Sequence, residues 1–582
     1  MHGIGYRFDA EVRVVSRPHL READRSTEIE ESSLDLRQSF GNVPVAAPTP
    51  SDSHYADRAV ANPVRSRRPG YAMLLLLTLL AALAFAGWKL WPRIQSVAPA
   101  GTAAAGQRSI AVLPLAIAGG SEQDLLSEGL AENLITTLSQ YEGLKVIGRS
   151  SSFRFRNGKD DSQSIGAKLG VTHLIEGSMQ RVGDDVRIGI QLIRAVDGST
   201  VWTQRFDRPY KDLFALQDEI ALAVAGALQV RLLHAMPGAV ETGRPASGNL
   251  DAYNAYLRGT EAMTRQNVRQ ATERFAEATR IDPTYAQAWS WLGFNRTQYT
   301  RGSLSGEAAR AAYAQARTEI DTALRLQPNF GQAHSTFANL LAAADRDWNG
   351  ALAEFRKALP LVPDNDPSHG AVSRLLATLG RVSEAIVERR KYIDGDPLAG
   401  FARIYLFQLL ASLGQLDDAE ASLRKAEELA TEDRDWLASE RLHLAILRGD
   451  AAAARAEAES KAPSRWRDRD MALALQIGHD RAAADAALQH LIDTDGRSKG
   501  DAYVIARIHA LRGDADKTFE WLQRDWDRGD TGVHYALFDP LLLRFRDDPR
   551  FIEYSRKTGL PPPSASDALG IDRIRAANAV KR

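Results

Sequence analysis

The chain has 582 residues, 44% of them hydrophobic, enough for packed cores and, at about 150 residues each, for about four domains. Lysine and arginine (73) balance aspartate and glutamate (74), and the resulting net charge of -1 argues against broad electrostatic capture of nucleic acid. The absence of cysteine excludes disulfides, thiolate zinc sites and cysteine nucleophiles, and fits either side of a bacterial inner membrane.

In the first ten residues, MHGIGYRFDA, Ile4, Tyr6 and Phe8 alternate with Gly3, Gly5 and Arg7, which predicts a strand with one apolar face. No adjacent stretch supplies a neighbouring strand to cover that face. Residues 11–70 mix Ser, Pro, Asp, Glu and Arg without an apolar period, as in VPVAAPTPSDS (43–53), and read as a disordered tether. Tyr71 to Trp88 is then an uninterrupted uncharged run, YAMLLLLTLLAALAFAGW. As a helix it spans roughly 27 Å, close to the ~30 Å hydrocarbon core of a bilayer, so residues 71–91 are predicted to cross a membrane once. Its depth in the chain argues against a cleaved secretory signal, although Val97, Ala98, Pro99 and Ala100 leave cleavage open. Arg58, Arg65, Arg67 and Arg68 slightly outweigh Lys89, Arg93 and Arg108, which places the amino end in the cytoplasm and the carboxyl domains in the periplasm. Residues 92–108 form a short linker.

From Ser109 to about residue 233 short β-like runs alternate with amphipathic helices. SIAVLPLAI is strand-like, Glu122 to Gln140 has helical spacing, and LKVIGRS returns to strand. A short helix is predicted around Ile165 to Leu169. Val186, Ile188, Ile190 and Leu192 alternate with Arg187, Gly189, Gln191 and Ile193, and turn signals at residues 183–185 and 197–198 define a meander with one buried face. Leu213, Leu216, Ile220, Val224 and Leu228 close the domain as an amphipathic helix. SIAVLPL (109–115), EGLAENLITTLS (128–139), LKVIGRSSSFRF (144–155), IGAKLGVTHLIEGSMQR (165–181) and VRIGIQLIRAVDGSTVWTQRFDR (186–208) resemble, in order, the TolB-like amino-terminal domain of bacterial membrane-anchored regulators. The resemblance implies a small α/β domain over residues 109–233.

The rest is helical and repetitive. Pro283, Pro328, Pro363 and Pro397 follow helices at spacings of 45, 35 and 34, the first read as a tetratricopeptide unit carrying an eleven-residue insertion around Thr300 to Arg310. Ala271, Phe275, Ala278 and Pro283 supply the small, large, small and helix-ending residues such a unit needs, and Ala351, Phe355, Ala358 and Pro363 repeat the set. Small residues let paired helices approach, the aromatic fills the gap between them, and proline stops the helix. Gly380, Gly414, Gly449, Gly478 and Gly513 carry the register on. A solenoid is therefore predicted over residues 249–563, ending in a cap (513–551) that resembles the last unit of regulators pairing a TolB-like domain with such repeats. Residues 564–582 read as a loose tail. The overall class is α+β: a single-pass membrane protein with a small α/β domain followed by an all-α solenoid.

HGIGYRF also resembles the last strand of OmpR/PhoB-type winged helices, at Gly3, Gly5, Tyr6 and Phe8. A winged-helix remnant (1–10), a tether, one span, a TolB-like domain and helical repeats follow the order of CadC-like membrane transcription regulators. The resemblance implies that a recognition helix would lie upstream of Met1. As written the chain is expected not to bind DNA, either through a misassigned start or through true truncation.

No Walker loop, HExxH, nucleophile elbow or glycine-rich dinucleotide turn occurs. Ser422 and Lys425 form SxxK and residues 557–559 read KTG, but the first lies in a repeat helix, the second lies in the terminal region, and no SDN element accompanies them. His173 has no partner at metal-ligand spacing and reads as a packed or edge residue. Ser150 to Ser152 with Arg149 and Arg154 read as a strand-end loop, an anion-binding nest being the alternative. A nucleotide cyclase would need paired metal-binding carboxylates in a recognisable motif, and none is present. The expected function is a membrane-anchored sensor or scaffold, with no cofactor and no catalysis, binding a protein or peptide in the groove of the solenoid. Tyr253, Tyr256, Gln287, Ser290 and Phe294 are the candidate groove residues. A membrane-bound CadC-like regulator is the alternative, and a homodimer is compatible with either.

Overall fold

The computed structural model describes residues 108–581, except 118–120, 157–158, 233–242, 305, 364, 430–433 and 496–499. The winged-helix remnant with Gly3, Gly5, Tyr6 and Phe8, the tether, the apolar run and all of the linker but its last residue lie outside the described residues. Among the described residues no helix is long and apolar enough to cross a membrane.

The α/β part contains β1 (Arg108–Val112), β2 (Ala116–Ile117), α1 (Ser121–Leu138), β3 (Tyr141–Glu142), β4 (Leu144–Val146) and α2 (Ser162–Leu169). β5 (His173–Val182), β6 (Asp185–Arg194), β7 (Thr200–Pro209), α3 (Leu213–Leu228) and β8 (Arg231–Leu232) follow. The sheet order is β4-β1-β5-β6-β7, with β2 also on β5 and a separate β3-β8 pair. β1 runs parallel to β4 and β5, whereas β5, β6 and β7 form an antiparallel meander. Side chains alternate as the pleat requires. Ile110, Val112, Ile188, Ile190 and Leu192 face α1 and α3, while Ala111, Leu113 and Leu174 face Ile165 and Leu169 of α2. Gly177 is required in β5, because a Cβ there would stand 2.1 Å from the Gly189 carbonyl oxygen.

Eight helical hairpins follow among the described residues. They are α4 (Leu250–Thr264) with α5 (Val268–Ile281), α6 (Ala286–Ser303) with α7 (Gly306–Leu326), α8 (Gly331–Leu340) with α9 (Trp348–Ala358), and α10 (Ser368–Thr378) with α11 (Val382–Gly395). Next come α12 (Gly400–Ser412) with α13 (Leu416–Leu429), α14 (Arg434–Arg448) with α15 (Ala451–Glu459), α16 (Arg465–Leu475) with α17 (Arg481–Asp493), and α18 (Asp501–Arg512) with α19 (Ala515–Asp527). In the first hairpin Ala271, Phe275 and Ala278 are fully buried, and the Phe275 ring lies so close to Gly259 that a Cβ there would meet it at 2.6 Å. Ala351, Phe355 and Ala358 are buried in the third. Pro283 is an exposed residue just beyond α5, and Pro363 lies beyond α9. The expected insertion around Thr300 to Arg310 is not a separate loop. Its residues lengthen the second hairpin, whose helices run to 18 and 21 residues, because RGSLSG is followed by the strong helix formers EAARAAYAQAR.

Residues 564–582 are not a loose tail throughout. After α20 (Pro549–Thr558), α21 spans Ile571–Lys581, and Ala568, Ile571 and Ile574 are buried. The Asp567 carboxylate accepts the Val382 and Ser383 amides at 2.7 and 2.8 Å, capping α11, and the Leu569 amide donates to the Ser412 carbonyl at 2.7 Å. The prolines at 561–563 redirect the chain, and the apolar residues beyond them find the hairpin turns of the solenoid.

The α/β part and the solenoid share one core: Leu126, Leu130, Leu216, Tyr253, Leu257 and Phe275 belong to a single buried cluster. A second contact joins the turn Arg149–Ser152 to the loops after α9 and α11. The Ser150 and Ser151 hydroxyls donate to the Asp396 carboxylate, the Gly148 amide to the Gly395 carbonyl at 2.8 Å, and Asn365 to the Val146 carbonyl at 3.1 Å. The serine cluster is thus a helical turn rather than a strand-end loop, and the anion it holds is a carboxylate of the same chain.

Candidate functional site

The inner wall of the solenoid is built by the first helices of successive hairpins. On α14, Trp436, Glu440 and His443 are spaced by four and three residues and share one face, and on α16 so do Trp466, Arg469, Asp470 and Leu473. Tyr405 and Gln408 of α12 and Tyr503 and Arg507 of α18 continue the wall. These side chains, with the segment Tyr535 to Leu541, enclose a cavity of about 580 Å³. That volume suits a small ligand or a short stretch of peptide. Aromatic groups dominate: the rings of Tyr405 and Trp436 lie 6.0 Å apart, those of Tyr503 and Tyr535 5.8 Å, and those of Tyr535 and Phe538 5.6 Å. Trp466 is 62% exposed in the first turn of its helix, and Arg469 stacks on its ring at 4.8 Å.

Polar groups in this wall are largely matched to one another. Buried Glu440 accepts from Gln408 at 2.6 Å and from the Trp436 indole at 2.9 Å, and His443 stands 3.1 Å away. Asp539 accepts from the Tyr503 hydroxyl at 2.7 Å and pairs with Arg507 at 2.7 Å. Asp470 accepts from Ser439 at 2.7 Å and pairs with Lys461 at 2.5 Å. Burial opposes the charge on Arg507, but Asp539 and its neighbours prevail and raise its pKa. Burial, with Tyr405 and Glu440, pushes the Tyr535 hydroxyl up to about 12, so it is a neutral donor at any ordinary pH.

The residues expected in the groove lie elsewhere and are mostly inaccessible. Tyr253, Tyr256 and Ser290 are buried. The Tyr253 hydroxyl accepts from Asn133 of α1 at 2.7 Å, Gln287 donates to the Tyr256 hydroxyl at 3.3 Å, and Ser290 Oγ lies 3.1 Å from Thr336 Oγ1. Phe294 packs edge-on to Trp291 at 5.4 Å. Burial raises the pKa of both tyrosines, as befits core residues. At Tyr253 the first hairpin presents no open groove because the α/β domain is docked on it, while Gln287, Ser290 and Phe294 stand on α6 and contact residues of the solenoid itself. The later wall has no assignment from the sequence, although Trp436, Glu440 and His443 line one face of their helix, about a quarter turn from the stripe of Leu437 and Leu444.

Ser422 donates to the Arg403 carbonyl at 2.9 Å while Lys425 pairs with Glu428 at 2.7 Å, so SxxK here is two unrelated structural contacts. His173 is half-buried in β5 opposite Arg194, with Nδ1 3.0 Å from Thr172 Oγ1. Among the described residues no group of three or more His, Asp or Glu is placed to hold a metal.

Residues 106–222 match the family model for the second domain of HilA/YgeH-like transcriptional regulators. "Putative adenylate cyclase 3" of Rhizobium meliloti (strain 1021) is 35% identical over 190 residues, which is 32% of each chain. The matched stretch spans about a third of that relative's length. Among solved structures, the type IV pilus biogenesis factor PilW has a TM-score of 0.30 at 20% identity, covering 36% of this chain and 92% of its own. Yeast Tom70 has a TM-score of 0.33 at 16% identity, covering 53% and 68%. At these scores the likenesses add nothing to the fold, which rests on the hairpins themselves.

Proposed function

We propose that the protein is an interaction scaffold whose solenoid takes a segment of a polypeptide partner in the cavity between α12, α14, α16, α18 and residues 535–541. The observation that carries this reading is an aromatic wall holding an exposed tryptophan, with its carboxylates internally paired, on a rigid helical frame. It needs no cofactor and performs no chemistry. A benzoylphenylalanine photo-crosslinker in place of Trp466 should trap a discrete partner in the cell, whereas the same group in place of Val387, exposed on α11, should not; equal labelling would remove the cavity from the account.

A transcription regulator is the second reading, favoured by the match of residues 106–222 to a regulator's second domain. Under either reading we propose that Tyr71 to Trp88 anchors the chain in a bacterial inner membrane, with the carboxyl domains periplasmic. The full chain is then expected to stay in the membrane pellet through alkaline carbonate washing, and release into the supernatant would discard the anchor.

A further inference from the structure

Beside the cavity's lining, behind Tyr405, two arginines differ from the rest. Gly370 and Arg374 stand one turn apart on α10 and so share a face. Arg389 of α11 packs against that face, its Nη1 3.3 Å from where a Cβ on Gly370 would lie. Arg389 is 1% exposed, yet it makes one hydrogen bond, from Nη2 to the Gly370 carbonyl at 2.9 Å, and its Nε and Nη1 have no acceptor. Its guanidinium lies 5.0 Å above the ring of Tyr405, which is part of the cavity wall. Arg374 is exposed on α10, and its side chain has neither a hydrogen bond nor an ion pair among the described residues. Burying a guanidinium without an acidic partner costs several kcal/mol, so the charge of Arg389 is unmatched inside the fold, while Arg374 beside it is open to an anion from solvent.

A neighbouring part of the wall shows what kind of anion fits. The segment Tyr535 to Pro540 presents the Asp539 carboxylate to Arg507 and Tyr503 of α18, and its Tyr535 ring lies 5.8 Å from the ring of Tyr503. The solenoid therefore already holds an acidic, aromatic stretch of polypeptide, its own, by an arginine and one tilted ring contact.

We propose that Arg374, supported by Arg389 and Tyr405, is a carboxylate-binding subsite at the edge of the cavity, and that the partner segment is an acidic peptide carrying an aromatic residue near its carboxylate. This rests on the scaffold reading and narrows it. Arg374 makes the contact and Arg389 positions the charge behind it. A guanidinium fork recognises a carboxylate by two parallel hydrogen bonds, which a lysine reproduces only as a point charge.

The test uses the full-length chain and two synthetic hexapeptides: acetyl-Phe-Asp-Pro-Leu-Phe-Asp with a free carboxyl end, and acetyl-Phe-Asn-Pro-Leu-Phe-Asn amide. Calorimetry should give the acidic peptide a Kd at least about tenfold below that of the neutral one, a preference that Arg374→Gln reduces to within about twofold and Arg374→Lys only partly restores. Because Arg374 is exposed, its variants should keep the parental melting temperature, which separates lost recognition from lost folding. Failure of the acidic peptide to bind at about 1 mM, or a preference that survives Arg374→Gln, overturns the subsite. Charge-blind binding that Trp466→Ala abolishes also overturns it but leaves the scaffold reading standing. Binding of both peptides unaffected by Trp466→Ala and Arg374→Gln would overturn both.

Discussion

Replacing Phe275 by alanine is expected to destabilise the protein by about 3 to 5 kcal/mol, the cost of emptying a fully packed aromatic position. The ring is fully buried between α4 and α5, 5.6 Å from Tyr256 and 6.2 Å from Trp291, and it packs directly on Gly259, which has no side chain to fill the hole. Its cluster continues through Tyr253 into α1 and α3, so the loss should reach the α/β domain as well as the first hairpin. Urea unfolding should therefore show hydrogen-exchange protection in β5 and β6 falling together with that in α4 and α5. A loss under about 1 kcal/mol, or one confined to the hairpin, would mean that Phe275 does not seal a shared core.

The second large effect is electrostatic. Asp525 on α19 is fully buried, accepts the Gly532 amide at 3.0 Å through one oxygen and leaves the other without a partner. Burial first, and Asp530 second, push its pKa up to about 7. A carboxyl that binds its proton more tightly folded than unfolded stabilises the fold at low pH and loses that contribution as pH rises from about 4 to 7. His534 works the other way. Burial, then Arg301, Arg346 and Arg374, lower its pKa to about 4, so its neutral folded form is penalised as pH falls from about 6.5 to 4. The two slopes oppose one another in the wild type, and single variants expose them. Asparagine keeps the acceptor for Gly532 and never ionises, so Asp525→Asn should match the parent near pH 4 and exceed it by about 2 to 4 kcal/mol at pH 8. Equal stability at pH 8 would show that the carboxyl ionises in place without penalty.

These expectations draw on parts of the fold that differ in how far local pattern reveals them. The meander was readable because Val186, Ile188, Ile190 and Leu192 alternate strictly and all four are fully buried. The hairpins were readable because Ala271, Phe275 and Ala278 recur as Ala351, Phe355 and Ala358 at matching positions, and two small residues flanking a large one have few uses other than close helix pairing. Contacts between distant segments left no such trace. Tyr253 and Tyr256 have polar tips and stand on a first helix, so they read as groove residues, whereas Tyr253 is buried against Asn133 of the docked domain and Tyr256 among Phe275, Tyr285 and Gln287. The serines at 150 and 151 read as a seat for a foreign anion, while Asp396 stands some 245 residues further on in the chain. Ala568, Ile571 and Ile574 follow three prolines and read as tail, because nothing local says that the hairpin turns bearing Gly380 and Gly414 present a surface to receive them. The cavity was missed for a related reason: its aromatic residues come from four helices and one loop spread over more than a hundred residues.

The central claim is that this cavity, rather than the outer face of the solenoid, engages a partner. It is tested most directly by the affinity of the partner trapped from the Trp466 position for three forms of the full-length chain: parent, Trp466→Ala and Val387→Ala. The account predicts that Trp466→Ala weakens binding by about tenfold or more and that Val387→Ala leaves it within about twofold. Equal affinities for all three, or a greater loss on the outer face, would contradict it.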